Sequence, residues 1–268
     1  MSPSAKKPPQ LYPDREKDDL SGHFHRQLIG NVGLLLPALL WLIAAWRPTA
    51  ADQIRWVPLS SVSAYYYSGA VSAFSGLLVA LALFLFAYRG YDNKYYRRDR
   101  IAAWIAGLAA LLVALFPTAA PSEPLTLFWW TKPIGVIHFA AATVLFGSFI
   151  YFSLFQFPMA RRRKSTPLSR AKRARNVIYI SSGLAMVACI TWAVIAQVRG
   201  QSIFWPEVLA LEFFAISWLV KGRAYSTVAA AGKRAVYYAR DPRQLVKDIS
   251  KAVSVPEGAA QKSSRADS

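Results

Sequence analysis

Six mostly apolar stretches, separated by polar segments, divide this chain of 268 residues. They run over about 28–46, 67–88, 101–116, 134–157, 177–198 and 203–220. A helix needs about 20 predominantly apolar residues to cross the hydrocarbon core of a bilayer. Five of the stretches match that length. The third is short and predicts a span that is little tilted or set in thinned bilayer. Residues 1–27 are polar and read as a disordered arm. Residues 221–268 form a polar, basic tail. Within it, Leu245, Val246, Ile249 and Val253 fall on one helical face, which predicts a helix lying on a membrane surface or a solvated one. The end of the tail, from Pro256, reads as disordered.

Charge turns the six stretches into a topology. The loop after the second stretch holds Arg89, Lys94, Arg97, Arg98 and Arg100. The loop after the fourth holds Arg161, Arg162, Arg163, Lys164, Arg170, Lys172, Arg173 and Arg175. With both ends of the chain, that side takes 28 of the 32 lysines and arginines. The other side has only Arg47, Arg55, Lys132 and Arg199. Positive charge stays cytoplasmic during insertion. The predicted fold is therefore all-α: a six-helix transmembrane bundle over 28–220, with the N-terminus and C-terminus both cytoplasmic. Ten of the 14 carboxylates share the basic side, so the whole net charge of +18 belongs to that face. So localised a charge argues against a nucleic-acid binder and for anionic lipid headgroups, with Arg97, Arg98 and the run Arg161 to Lys164 as the expected contacts.

Aromatic residues gather where the stretches meet the interface. Trp41 and Trp46 close the first, Tyr65 to Tyr67 open the second, Phe128 to Trp130 precede the fourth and Trp205 opens the sixth. Such belts anchor helix ends at headgroup level. The polar start of the chain lacks an early apolar region, so the first stretch is expected to remain as a helix rather than be cleaved. One cysteine, Cys189, excludes an intramolecular disulfide and a cysteine metal cluster.

Candidate chemistry starts from polar groups inside apolar stretches, where they are costly. Glu212 lies near the middle of the sixth and predicts an interior polar site or a structural hydrogen bond. Glu207 follows Pro206 in the first turn, where the helix dipole favours an anion. His138 lies about one turn into the fourth stretch, at a depth similar to Glu207. The pair suits proton transfer or an interhelical hydrogen bond. Two ligands are too few to predict zinc, and no metal or cofactor is expected. Ser68, Ser72 and Ser75 recur at helical spacing beside Gly69, Ala73 and Gly76, a pattern that permits close helix approach. The alternative makes one of these serines, or Ser60, Ser61 or Ser63, a nucleophile served by His138. No G-x-S-x-G, G-x-G-x-x-G or P-loop pattern accompanies them.

Five strings carry a likeness: SVSAYYYSG (61–69), FLFAYRGYD (84–92), ALFPT (114–118), IGVIHFAA (134–141) and YFSLFQF (151–157). Together they resemble the bacterial membrane family catalogued as domain of unknown function number 998. That family is distantly similar to the Frag/DRAM/Sfk membrane proteins, six-helix proteins linked to lipid remodelling and distribution. The resemblance implies a bacterial inner membrane and a functional face near Ser63 to Phe74. The eukaryotic pattern has an acidic residue there, where this chain has Gly69 and Ala70. The expected activity is binding, moving or modifying a lipid or other amphiphile in the outer half of the bundle. The competing expectations are an accessory subunit of a membrane complex and a small proton-coupled transporter.

Overall fold

The computed structural model describes residues 17–46, 56–90, 96–120, 127–159 and 170–253. Among these residues all regular structure is helical. The first helix, α1, covers Lys17–Trp46. It starts some ten residues before the apolar stretch. The polar residues His23, Arg26 and Gln27 recur at the same spacing as Ile29, Leu36 and Leu40, and all six are buried. The expected arm is therefore helical from Lys17. The rest of it, like Arg161 to Lys164, lies outside the described residues.

A short 3₁₀ turn over Ser63–Tyr67 precedes α2, Val71–Ala87. Ser68 breaks the two apart. Its hydroxyl donates to the Tyr65 carbonyl at 2.8 Å and accepts from the Ala70 N–H at 3.1 Å, in place of helical bonding. The third helix, α3, covers Tyr96–Leu115 and stops two residues before Pro117, whose ring disfavours helical backbone at the residue before it. In α4, Lys132–Tyr151, Pro133 sits in the first turn, where no N–H is missed. It widens into a π turn over Phe152–Gln156, and the Phe157 N–H reaches back to the Phe152 carbonyl at 2.9 Å.

The helix α5 covers Arg170–Val198 and ends in a Schellman motif. Gly200 takes φ +66°, its N–H bonds Gln197 O, and the Gln201 N–H bonds Ala196 O. The sixth helix, α6, covers Phe204–Lys221. Three helical segments, Gly22–Trp46, Lys132–Gln156 and Arg170–Val198, are long and apolar enough to cross a membrane. Val71–Ala87 is apolar but shorter.

The helices pack largely in chain order. α1 lies against α2, α2 against α3, α3 against α4 and α5 against α6, while α6 also returns to α1. The α1–α6 contact is close because glycines face large side chains. A Cβ on Gly33 would stand 2.7 Å from Phe214, and one on Gly30 would stand 2.8 Å from Leu219. Beneath that contact Phe149 and Phe214 stack at 3.7 Å, and Tyr88, Phe152, Phe157 and Trp218 pack edge to face. Many outward residues of the same helices are large and apolar, among them Leu83, Leu108, Phe139, Leu184 and Val194. Such surfaces mark contact with lipid or protein rather than water.

A separate unit follows Ala224. It holds α7, Ala224–Arg240, from its second residue on, and α8, Pro242–Val253. The Tyr238 hydroxyl donates to Asp248 at 2.8 Å and ties the two helices together. Leu245 and Val246 are exposed on α8. The helix α7 was not foreseen from the sequence.

Candidate functional site at the Ser63 and His138 end

The end of α3 creates a physical demand. A helix C-terminus leaves carbonyls without intrahelical partners. Here three successive carbonyls are capped by three side chains from elsewhere. His138 Nδ1 lies 2.6 Å from Phe116 O, Trp130 Nε1 donates to Pro117 O at 3.2 Å, and the Tyr67 hydroxyl donates to Thr118 O at 2.6 Å. The 3₁₀ turn, the approach to α4 and α4 itself are thus drawn to one point.

The ring of His138 is buried, and its second nitrogen, Nε2, lies 2.9 Å from Ser63 Oγ. The tautomer follows from chemistry. A carbonyl oxygen only accepts, so in the neutral ring Nδ1 carries the proton and Nε2 carries the lone pair. The Ser63 hydroxyl must therefore donate to Nε2. Ser63 is half-buried, whereas His138 is buried.

The residue before Ser63 is fixed from the opposite direction. The Val62 N–H donates to Glu207 Oε2 at 2.7 Å. Ser60 O accepts from Ile203 N at 2.8 Å and from the Ser202 hydroxyl at 3.0 Å. The segment 60–67 is therefore stapled to the start of α6 on one flank and to α3 and α4 on the other. Within it, burial pushes the Tyr65 phenol above its usual pKa, partly offset by a hydrogen bond from the Leu59 N–H, so Tyr65 stays neutral.

The structure sorts the sequence candidates. His138 bonds Ser63, one of the serines outside the second stretch, and not Ser68, Ser72 or Ser75. Ser68 is buried and occupied in its turn. Ser72 is exposed, and a Cβ on Gly76 would meet nothing within 4 Å, so this small face makes no close helix approach there. Glu207 reaches His138 only through the Val62–Ser63 step. Glu212 is half-buried and shares a helical stripe with the exposed Trp205, Leu209 and Ile216. It sits about 7.5 Å further along α6 than Glu207. Among the described residues, no group of three His, Cys, Asp or Glu side chains is placed to hold a metal.

The sequence reading missed a second polar cluster at the basic end. Arg26 lies over the Tyr88 ring and donates to Gly90 O at 3.4 Å. Lys221 donates to Phe157 O at 2.9 Å and lies over the Phe157 and Tyr179 rings. Gln27 donates to Gly222 O at 2.9 Å, and Ser153 donates to Ser217 between buried side chains. The signal was present, since His23, Arg26 and Gln27 precede Gly30 at i, i+3 and i+4 spacing. The late expected start of the first helix hid it.

Comparison with family models, curated proteins and solved structures gave no significant match.

Proposed function

We propose that this chain is a six-span membrane protein of a bacterial inner membrane, both termini cytoplasmic, that binds, moves or modifies a lipid or other amphiphile at its outer end. The observation that carries the reading is the Ser63–His138 pair, a half-buried serine hydrogen-bonded to a buried imidazole at the end where few basic residues lie. Exposed Phe128, Trp129 and Trp205 surround the same end, as residues at headgroup level do. Ser63, Phe116 and His138 come from three of the five strings that resemble domain of unknown function number 998.

At the basic end, Arg97 and Arg98 stand exposed at the start of α3. A groove of about 520 Å³ runs from Arg98 past Ile101 and Ile105 to Val144, Gly147 and Tyr151. An apolar floor below a guanidinium suits the acyl chain and anionic headgroup of an inner-leaflet lipid. Glu212 favours a second reading, an accessory subunit. A carboxylate on an outward stripe of a span needs a polar partner, and a neighbouring membrane protein would supply one.

The test is retention of an amphiphile. Wild-type protein in mild detergent should keep a defined amphiphile through a delipidating wash, read by mass spectrometry. The Ser63→Trp variant, with a bulky ring at the half-buried position, should lose it. If washed wild type and variant carry the same lipids, the reading fails. Reporter fusions after Pro121 and after Lys164 should report opposite sides; a cytoplasmic signal at both refutes the six spans.

A further inference from the structure

We propose that Ser63 is a nucleophile for acyl transfer, that His138 is its general base, and that the substrate is a carboxylic ester of a membrane lipid. The proposal rests on the reading that an amphiphile reaches this end of the protein, and it adds the chemistry.

Nucleophilic catalysis needs a hydroxyl, a base within hydrogen-bond reach and a third group that orients the base. The three are Ser63 Oγ, His138 Nε2 at 2.9 Å and Phe116 O at 2.6 Å from Nδ1. The carbonyl does one part of what a carboxylate does in a triad: it locks the tautomer with the lone pair facing the hydroxyl, without a negative charge to stabilise the imidazolium. A backbone carbonyl cannot rotate away or take up a proton. Glu207 is a positioning residue, since it grips the N–H of Val62 and so fixes the backbone on which Ser63 sits.

The chemistry balances with water as the one co-reactant. The Ser63 oxygen attacks the ester carbonyl carbon while its proton passes to His138 Nε2. The tetrahedral intermediate collapses as the C–O bond to the alcohol breaks, and that alcohol leaves with the proton from Nε2. Water then attacks the acyl–serine ester. It gives its proton to Nε2, which returns it to Ser63 as the fatty acid departs.

Location selects the ester class. His138 lies six residues into α4, about 9 Å along the axis from Lys132. Ser63, by contrast, sits in the loop layer above the apolar helices. The boundary between hydrocarbon and headgroups is where acyl esters of lipids lie.

The full chain in lipid nanodiscs would be treated with an alkyl fluorophosphonate, and the adduct mapped by peptide mass spectrometry. An adduct on Ser63 is expected, and none in Ser63→Ala. The His138→Asn variant keeps an N–H at the branch from Cγ, where Nδ1 sits, and so can still cap Phe116 O, but it has no base. Its labelling rate should fall by about a hundredfold or more, with its thermal midpoint near wild type. Folded wild type without an adduct, or His138→Asn labelling at the wild-type rate, overturns the proposal. If amphiphile is retained without an adduct, the nucleophile is refuted and the binding reading stands; if both are absent, both fall. Phosphatidylglycerol vesicles with ester-linked chains should release lysolipid, and ether-linked ones should not. An adduct without lysolipid release overturns the substrate class.

Discussion

Gly33→Ala adds a single methyl group at the closest contact between α1 and α6. The new Cβ would stand 2.7 Å and 2.8 Å from two carbons of the Phe214 ring. Comfortable carbon contacts lie near 3.5–4.0 Å, so about 1 Å of movement is needed. The ring cannot supply it. Phe214 is fully buried, stacked on Phe149 at 3.7 Å and flanked by Trp218 at 6.0 Å. The helices must part instead, and overpacking of this kind costs about 1–3 kcal/mol. Alanine also gains about 1 kcal/mol of helix propensity over glycine, which partly masks that cost. A second variant removes the mask. Gly147→Ala sits in α4, and its Cβ would meet nothing within 4 Å. It shares the propensity gain and lacks the clash. The difference between the two variants therefore isolates the packing term, about 1–3 kcal/mol. Thermal unfolding in detergent would read it at roughly 2–4 °C per kcal/mol for a chain of this size. Equal midpoints for Gly33→Ala and Gly147→Ala would refute the close α1–α6 contact.

Two further outcomes follow from the polar groups. Glu207→Ala leaves the buried Val62 N–H without its acceptor and should cost about 1–3 kcal/mol, the range for a buried donor left unsatisfied; a thermal midpoint equal to wild type would show that the staple contributes nothing. Glu212→Leu should leave the protein folded and improve membrane insertion, because an acidic side chain near mid-helix costs about 2.5–3.5 kcal/mol on insertion scales. An aggregated or unfolded Glu212→Leu protein in an insertion assay would show that this carboxylate is buried among the helices after all.

Apolar length and the placement of charge were readable along the chain because a membrane-length helix is a local property. The three long apolar helices, the end of α3 before Pro117 and the α8 helix after Asp241 all depend on residues near one another. Boundaries were less legible. The helix α1 reaches back to Lys17 because His23, Arg26 and Gln27 are buried against other elements, and polar residues look like an arm until those partners are known. The second helix begins at Val71 rather than Tyr67 because Ser68 spends its hydroxyl on the backbone of its own turn.

The site divides in the same way. His138 was picked out by being a titratable ring in an apolar stretch, and serine as its partner was among the readings. Which serine it meets was undetermined, since Ser60, Ser61, Ser63, Ser68, Ser72 and Ser75 are chemically alike. The capping of Phe116, Pro117 and Thr118 draws the 3₁₀ turn to α4 and puts Ser63, 75 residues away in sequence, at 2.9 Å from the ring. Glu212 and Glu207 are equally conspicuous as letters, yet one shares an exposed stripe and the other holds the backbone beside Ser63. The chain by itself determined helix content, apolar length and charge placement, because each is summed over neighbours in sequence. Tertiary structure alone decided which polar groups face each other, because hydrogen bonds between helices depend on how those helices are rotated and packed.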